Sequence, residues 1–243
     1  MVSSRDDWKS LSDRLSATLH LTSAPIAITF SGSAPPGVPG FDAPMPEPAA
    51  DGRTGRVPAG CVFWTHAAQR TFTTVAADHG NCSVGSFTHG LSTAEEVVTN
   101  GDVAALVTSG WAPGNLLDVL PRVTSEPSNV TYGPLGSVPV DPDVVLVRLN
   151  AKQLMVLSDA EPGLKIEGKP QCHIIPMAHE SQEVAASVGC MLSRVRTGMP
   201  STEMTCAIPA PRLSEVVEKL ESTNRVDSVV AGYAAEDASR FQP

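Results

Sequence analysis

The stretch DPDVVLVRLNAKQLMVLSDA, residues Asp141–Ala160, decides the fold. Its first part, VVLVRL at Val144–Leu149, is almost continuously apolar, which is typical of a strand buried on both faces at the centre of a sheet. A helix is predicted directly after it, over Ala151–Ser158. A strand followed at once by a helix predicts an α/β (or α+β) chain, with a mixed sheet flanked by helices.

Other short elements surround this unit. Residues 6–21 predict an amphipathic helix, because apolar residues recur there at helical spacing: Trp8, Leu11, Leu15 and Leu19. Strands are predicted at residues 25–30 (PIAITF), 71–76 and 204–208, and a closing helix behind Pro211. Both halves run in the order strand, loop, cysteine-bearing helix and second cysteine, which favours two similar halves.

The chain is predicted to form a single domain over residues 1–243, with one long loop and a tail. Residues 31–60 hold seven prolines with almost no periodicity, so we expect a surface loop there. Such a loop is a lid, a binding loop or an excursion without a role, and the sequence leaves these alternatives open. Residues 224–243 are interpreted as a frayed C-terminal tail.

Composition and charge exclude some classes of partner. The chain is 42% hydrophobic, and its net charge is −9, with a pI of about 5.1. An acidic balance argues against binding to nucleic acid or to an anionic membrane. The sequence shows no secretory leader and no apolar stretch long enough to cross a bilayer, so we expect a cytoplasmic protein.

Five cysteines carry the functional signal. The stretch Gly60–Gly90 holds Cys61 and Cys82, and residues 170–194 hold Cys172 and Cys190. We expect the two segments to meet, so that their thiols form one site. An odd number of widely spaced cysteines in a reducing compartment argues against a disulfide framework.

Several thiols are predicted at helix starts, beside glycines. The positive end of a helix favours a thiolate, which is the form that binds metal or attacks an electrophile. Three glycines lie close to the thiols in sequence, and they would let the backbone approach an inorganic centre: Gly60, Gly85 and Gly189. The chain has no CxxC spacing, so the thiols could equally be small buried hydrophobes. Cys206, inside the strand MTCAI, is best interpreted in that way.

Two other side chains are candidates for catalysis. His79 stands three residues before Cys82 and could ligate metal or act as acid and base. Arg194 follows Cys190 and could hold an anionic substrate. The alternatives are a satisfied core histidine and an ordinary surface charge.

The order of the motifs resembles the domain-of-unknown-function family 169. The resemblance rests on PIAITF, the Gly60-Cys61 helix, the Cys82 turn, DPDVVLV, Cys172, SVGC and MTCAIP, and it covers roughly residues 25–220. It implies that Cys61, Cys82, Cys172 and Cys190 are a set that excludes Cys206. Leu192-Ser193-Arg194 stands where relatives have Gly-Ser-Arg, and the proline-rich insert looks longer than usual.

The sequence therefore predicts a cysteine-ligated metalloprotein. An iron–sulfur cluster (4Fe-4S) on the four thiols is favoured, with an iron–sulfur-dependent lyase or oxidoreductase acting on a small molecule as the enzyme class. Zinc is the alternative cofactor, in a zinc or heavy-metal protein without turnover. A third hypothesis is a metal-free thiol enzyme with Cys61 or Cys82 as nucleophile and His79 as base. The expected partner is a small-molecule substrate, and a homodimer is left open.

Overall fold

The computed structural model describes residues 5–42, 60–80, 82–100 and 103–241. In these ranges one mixed sheet is flanked by helices, which confirms the predicted α/β class. The strands are β1 (Ile26–Ser31), β2 (Phe72–Thr74), β3 (Asn129–Pro134), β4 (Val144–Leu149), β5 (Lys165–Glu167), β6 (Ala185–Ser187) and β7 (Met204–Pro209). Their order in the sheet is β2-β3-β1-β4-β7-β6-β5, and among these pairs only β5 and β6 run parallel.

The helices of the described part lie on both faces of the sheet. They are α1 (Arg5–Leu19), α2 (Gly60–Ala67), α3 (Ser83–Thr88), α4 (Ala94–Asn100), α5 (Val103–Thr108), α6 (Leu116–Val119), α7 (Ala151–Ala160), α8 (Ile174–Glu180), α9 (Met191–Thr197) and α10 (Leu213–Phe241). Short 3₁₀ turns occupy Ala76–His79, Gln171–His173 and Ala210–Arg212. The predicted helix over residues 6–21 is confirmed in α1, whose four predicted apolar residues are all buried.

Strand β4 is the central strand that its apolar run predicts. It pairs with β1 on one side and with all six residues of β7 on the other. Successive side chains of a strand point to opposite faces, so β4 contributes to two separate cores. Val145, Val147 and Leu149 pack with α1, α7 and α10, whereas Val144 and Leu146 pack with α2, α3 and α8.

This two-sided sheet separates the cysteines. Cys61 and Cys172 belong to the core on the α2 and α8 face. Cys206, which pairs with Val147 in the sheet, lies fully buried in the opposite core. The sheet therefore stands between Cys206 and the thiols of the α2 and α8 face.

Two local features differ from the sequence prediction. The sequence Ser92-Thr-Ala-Glu95 is typical of a capping box, but the box is formed one residue later, by Thr93 and Glu96. The backbone N–H of Thr93 donates to Glu96 Oε2 at 2.7 Å, and the backbone N–H of Glu96 donates to Thr93 Oγ1 at 3.2 Å. The motif fits both registers in the sequence, and the observed register begins α4 at Ala94.

The predicted loop and tail are described only in part. Residues 43–59 of the 31–60 loop lie outside the described residues. Before that gap, Gly40 bridges Thr73 of β2, and Phe41 stacks edge-on against Phe63 and Phe72. The tail predicted over 224–243 is instead helical as far as Phe241, because an alanine-rich sequence continues α10 after its apolar contacts end.

Candidate functional site: a thiol pocket

Four of the five cysteines line one pocket on the α2 and α8 face of the sheet, which we call the thiol pocket. Its lining comes from five separate segments and consists of Cys61, Cys82, Val84, Gly85, Trp111, Pro170, Gln171, Cys172, Cys190, Leu192, Ser193 and Arg196. The structure thus brings together the two cysteine-bearing segments that the sequence places far apart. The five cysteines, all within the described residues, form no disulfide bond.

Cys82 and Cys190 occupy equivalent places at the starts of short helices. Cys82 is the residue before α3, and its Sγ accepts the backbone N–H of Gly85 at 3.3 Å. Cys190 is the residue before α9, and its Sγ accepts the backbone N–H of Ser193 at 3.4 Å. Each sulfur satisfies an N–H group that the first turn of a helix leaves unpaired.

Of the other two thiols, Cys61 is half-buried and Cys172 is buried. Cys61 lies in the first turn of α2, and Cys172 lies in the 3₁₀ turn that precedes α8. Burial raises the pKa of Cys61 to about 12, and the nearby Cys82 adds to this effect. Burial likewise raises the pKa of Cys172 well above its ordinary value. Both groups are therefore protonated thiols at neutral pH.

Hydroxyl groups bond to these buried thiols. A hydrogen bond from Ser193 lowers the pKa of Cys61, and one from Thr88 lowers the pKa of Cys172, although burial outweighs both. The Ser193 hydroxyl oxygen accepts the Nε2–H of Gln171 at 2.7 Å, and Gln171 is only 2% exposed. The hydroxyl of Ser193 also lies 3.9 Å from Met199 Sδ.

The predicted glycines hold different positions around the pocket. A Cβ on Gly85 would lie 3.1 Å from Cys82 Sγ, so the absence of a side chain permits this close approach. Gly189 has a φ of +87° beside Gln171 and Arg194. Gly60 is the first residue of α2, next to Cys61. Whether these glycines bind a cofactor stays a prediction.

His79 lies in the aromatic core and is absent from the pocket lining. It is fully buried, its Nε2 is 3.0 Å from Thr74 Oγ1, and its ring stacks against Phe63 with centroids 4.7 Å apart. Burial, together with His89, lowers the pKa of His79 well below its ordinary value. His79 is therefore neutral at physiological pH, and its catalytic role stays a prediction.

Arg194 is occupied by backbone carbonyls. Its guanidinium donates to the carbonyl oxygens of Val188 at 2.7 Å, Glu203 at 3.0 Å and Pro200. This side chain therefore ties together the two ends of the segment that carries α9. The predicted role in holding an anionic substrate stays a prediction, and the cation that lines the pocket is Arg196 instead.

The cavity itself is small. It holds about 30 Å³, which is space for one or two water molecules. Trp111 forms one wall, and the Lys169 ammonium lies 4.9 Å from the centre of its ring, within the range of a cation–π contact. Small ligands alone fit without movement of these walls.

The predicted cysteine-ligated metalloprotein is wrong for this arrangement. Among the residues that the structure describes, which include all five cysteines, no group of three or more His, Cys, Asp or Glu could hold a metal ion. Thiolate ligands lie about 2.3 Å from a shared zinc ion, and lining the same pocket does not meet that requirement. The iron–sulfur cluster predicted on Cys61, Cys82, Cys172 and Cys190, and the zinc alternative, do not fit the donors as they stand.

Sequence reasoning missed the polar groups between the thiols. Gln171 belongs to no motif that would single it out, and Ser193 appears only as the middle residue of the Leu192-Ser193-Arg194 segment, without a role of its own. Trp111 comes from a turn between α5 and α6 that carried no functional signal. Only their adjacency to Cys172 and Cys190 could have drawn attention to Gln171 and Ser193.

Comparison with known families identifies the chain. The model of family DUF169, described as "Uncharacterised ArCR", matches residues 14–219, and the chain belongs to this family. No curated protein and no solved structure matches it. Over the described ranges, no helix combines the length and the apolar character that a membrane crossing requires.

Proposed function

We propose that the thiol pocket performs thiol chemistry without a metal, and that Cys190 is its nucleophile toward a small electrophile. The observation that carries this proposal is the meeting of four cysteines at one small pocket that also contains a cation. Inert core cysteines have no reason to collect at a cavity. A reactive thiol needs partial exposure and an electropositive surrounding.

Cys190 meets both conditions. It is partly exposed, and the backbone N–H of Ser193 donates to its sulfur. Arg196 belongs to the same short helix and lines the pocket, where its charge lowers the pKa of Cys61. An N–H donor and a nearby guanidinium both stabilise negative charge on sulfur.

The buried thiols supply the proton. Because burial raises the pKa of Cys61 to about 12, this group keeps its proton at neutral pH. Cys61 is also electrostatically coupled to Cys190. A protonated thiol beside the proposed nucleophile is suited to act as general acid for a departing group.

The proposed step is a displacement. The Cys190 thiolate donates an electron pair to the electrophilic atom of the substrate, and a bond to sulfur forms as the bond to the leaving group breaks. The leaving group departs with that electron pair and takes the proton of Cys61, which is then replaced from solvent. None of the described residues that line the pocket is a histidine, so the step differs from the Cys/His mechanism that the sequence suggested.

The size of the cavity supports a small-molecule substrate, which stays a prediction. A space of about 30 Å³ admits a reacting group of a few atoms unless the walls open. Thiols that work in this way need a reducing compartment, in accordance with the predicted cytoplasmic location. The predicted homodimer stays a prediction.

Alkylation kinetics test the proposal. Folded protein is treated with limiting iodoacetamide, and the modified cysteines are followed by peptide mass spectrometry. We expect Cys190 to be modified at least about tenfold faster than the buried Cys172 and Cys206. Cys190→Ser should abolish the fast phase, and the matched control Cys206→Ser should retain it. A fast phase that survives Cys190→Ser, or five cysteines that react only on unfolding, contradicts the proposal.

A further inference from the structure

Two deeply buried polar side chains line the thiol pocket: the amide of Gln171 and the hydroxyl of Ser193. Both residues are 2% exposed. The Nε2–H of Gln171 donates to Ser193 Oγ at 2.7 Å, so the Ser193 oxygen is the acceptor in that bond. The single hydroxyl proton of Ser193 is then left for the sulfurs beside it: the hydroxyl donates to Met199 Sδ at 3.9 Å, and it also lowers the pKa of the Cys61 thiol.

The other end of the amide is unsatisfied. Gln171 Oε1 is buried and has no hydrogen-bond partner among the described residues. Buried carbonyl oxygens are rarely left without a donor, because the desolvation is not compensated. We therefore expect a ligand to supply the hydrogen-bond donor that Gln171 Oε1 lacks.

A residue without a side chain adjoins this oxygen. The position that a Cβ of Gly189 would take is 3.4 Å from Gln171 Oε1, and Gly189 carries no side chain to fill it. Arg194 Nη2 and Nε lie 3.3 and 3.4 Å from the same position; Nη2 donates to the carbonyl oxygens of Val188 and Glu203, and neither nitrogen bonds to Gln171 Oε1. Gln171 Oε1 is thus left as an acceptor without a donor in the described part of the chain, while Arg194 Nη2 bonds to backbone carbonyl oxygens.

We propose that Gln171 Oε1 determines the specificity of the thiol pocket by accepting an N–H or O–H of the substrate. The substrate class is then a small neutral electrophile that carries a hydrogen-bond donor, such as a primary amide or a hydroxyl, close to its reacting atom. This inference rests on the proposed thiol function of the same pocket. Gln171 touches the substrate, and through Ser193 it also positions the hydroxyl on Cys61.

Two neutral alkylating probes test whether a hydrogen-bond donor on the reagent speeds its reaction with Cys190. Iodoacetamide has N–H donors, whereas iodoacetonitrile has none, and the intrinsic ratio of their rates is measured with glutathione. We expect wild-type Cys190 to prefer iodoacetamide by about tenfold beyond that ratio, the effect of one buried hydrogen bond. Gln171→Met keeps the side-chain length without the amide, and the preference should disappear.

A second measurement uses the wild-type protein alone. Acetamide at high concentration should slow the alkylation of Cys190, whereas acetonitrile at the same concentration should not. This protection makes the test independent of whether Gln171→Met folds. Equal protection by both compounds, or an unchanged rate ratio in folded Gln171→Met, overturns the role of Gln171.

Failure of the two proposals gives different results. If Cys190 has no fast phase with either probe, the thiol function itself fails. If Cys190 reacts fast with both probes in the intrinsic ratio, the thiol function stands and the specificity assigned to Gln171 fails.

Discussion

Ser193 connects two thiols of the pocket: its backbone N–H donates to Cys190 Sγ at 3.4 Å, while its hydroxyl bonds to Cys61. One residue thus stabilises negative charge on the proposed nucleophile and positions the proposed proton donor. The backbone bond survives any substitution that preserves the helix start, but the hydroxyl bond does not. Substitution at Ser193 can therefore separate the two roles.

Ser193→Ala should destabilise the fold without removing the Cys190 contact. The Gln171 Nε2–H loses its acceptor inside the core, which costs about 1–3 kcal/mol. The pKa of Cys61 should rise further, because the Ser193 hydroxyl lowers it. Urea unfolding checks the first effect, and pH-dependent labelling of Cys61 checks the second. Ser228→Ala, on the exposed face of α10, is the matched control and should change stability by less than about 0.5 kcal/mol.

Arg194→Lys should loosen the segment that carries α9. The guanidinium bonds to three carbonyl oxygens at once, and a lysine ammonium cannot reproduce that planar fork. We expect a loss of about 2 kcal/mol in the free energy of unfolding and faster amide hydrogen exchange over residues 188–203. Arg225→Lys, at an exposed position of α10, serves as control. Unchanged exchange in that segment would show that the carbonyl bonds do not restrain it.

Gly85→Ala and Gly232→Ala should differ in their effect on the free energy of unfolding, although both glycines lie in helices. At Gly232 nothing lies within 4 Å of an added Cβ, so alanine should stabilise α10 by up to about 1 kcal/mol. At Gly85 the added Cβ would be 3.1 Å from Cys82 Sγ, and the sulfur must shift. Gly85→Ala should therefore lose the propensity gain and alter the rate of Cys82 alkylation. A stability gain of equal size at both positions contradicts this prediction.

Acid should destabilise the protein through its buried histidines. His89 is fully buried and donates from Nδ1 to the Gly85 carbonyl oxygen at 2.7 Å, and burial lowers its pKa to about 4. The unfolded chain protonates this histidine near pH 6.5, so between pH 6.5 and 4 the unfolded state binds a proton that the folded state does not. Folding stability is thus fully present above pH 6.5 and decreases as the pH falls.

The magnitude follows from the same two pKa values. Between pH 7 and pH 5, His89 alone should lower the free energy of unfolding by about 2 kcal/mol. Urea titrations at the two pH values measure this difference. In His89→Gln the pH dependence should be smaller by that amount, whereas His20→Asn, at an exposed position, should retain it. Identical pH dependence in all three proteins would exclude His89 as the cause.

Much of the fold could be predicted because apolar patterning is local. The run Val144–Leu149 identifies the central strand, and the recurrence of Trp8, Leu11, Leu15 and Leu19 identifies the buried face of α1. Strand order could not be predicted in the same way. Among the seven strands that the structure describes, only β5 and β6 pair with each other in parallel, and the mainly antiparallel pairing depends on connections that the sequence does not specify.

The meeting of four cysteines at one pocket could be predicted, but the other lining residues and the chemistry could not. Cysteine positions and the family resemblance both select Cys61, Cys82, Cys172 and Cys190, and these four line the pocket. Whether sulfurs reach a common ion depends on distances of a few tenths of an ångström, and sequence spacing does not fix these. The role of Gln171 could not be predicted either, because only the packed structure shows that its buried side-chain oxygen has no hydrogen-bond partner among the residues described.

Because Cys206 lies in the core on the other face of the sheet, the rate at which it is labelled reports unfolding of the chain. Its sulfur is fully buried beside β4 and lies in the core opposite the other thiols. A reagent reaches it only when the strands separate, whereas Cys190 is reached from the folded state. The labelling rates of these two cysteines therefore measure, in one sample, the frequency of whole-chain unfolding and the local breathing of the pocket.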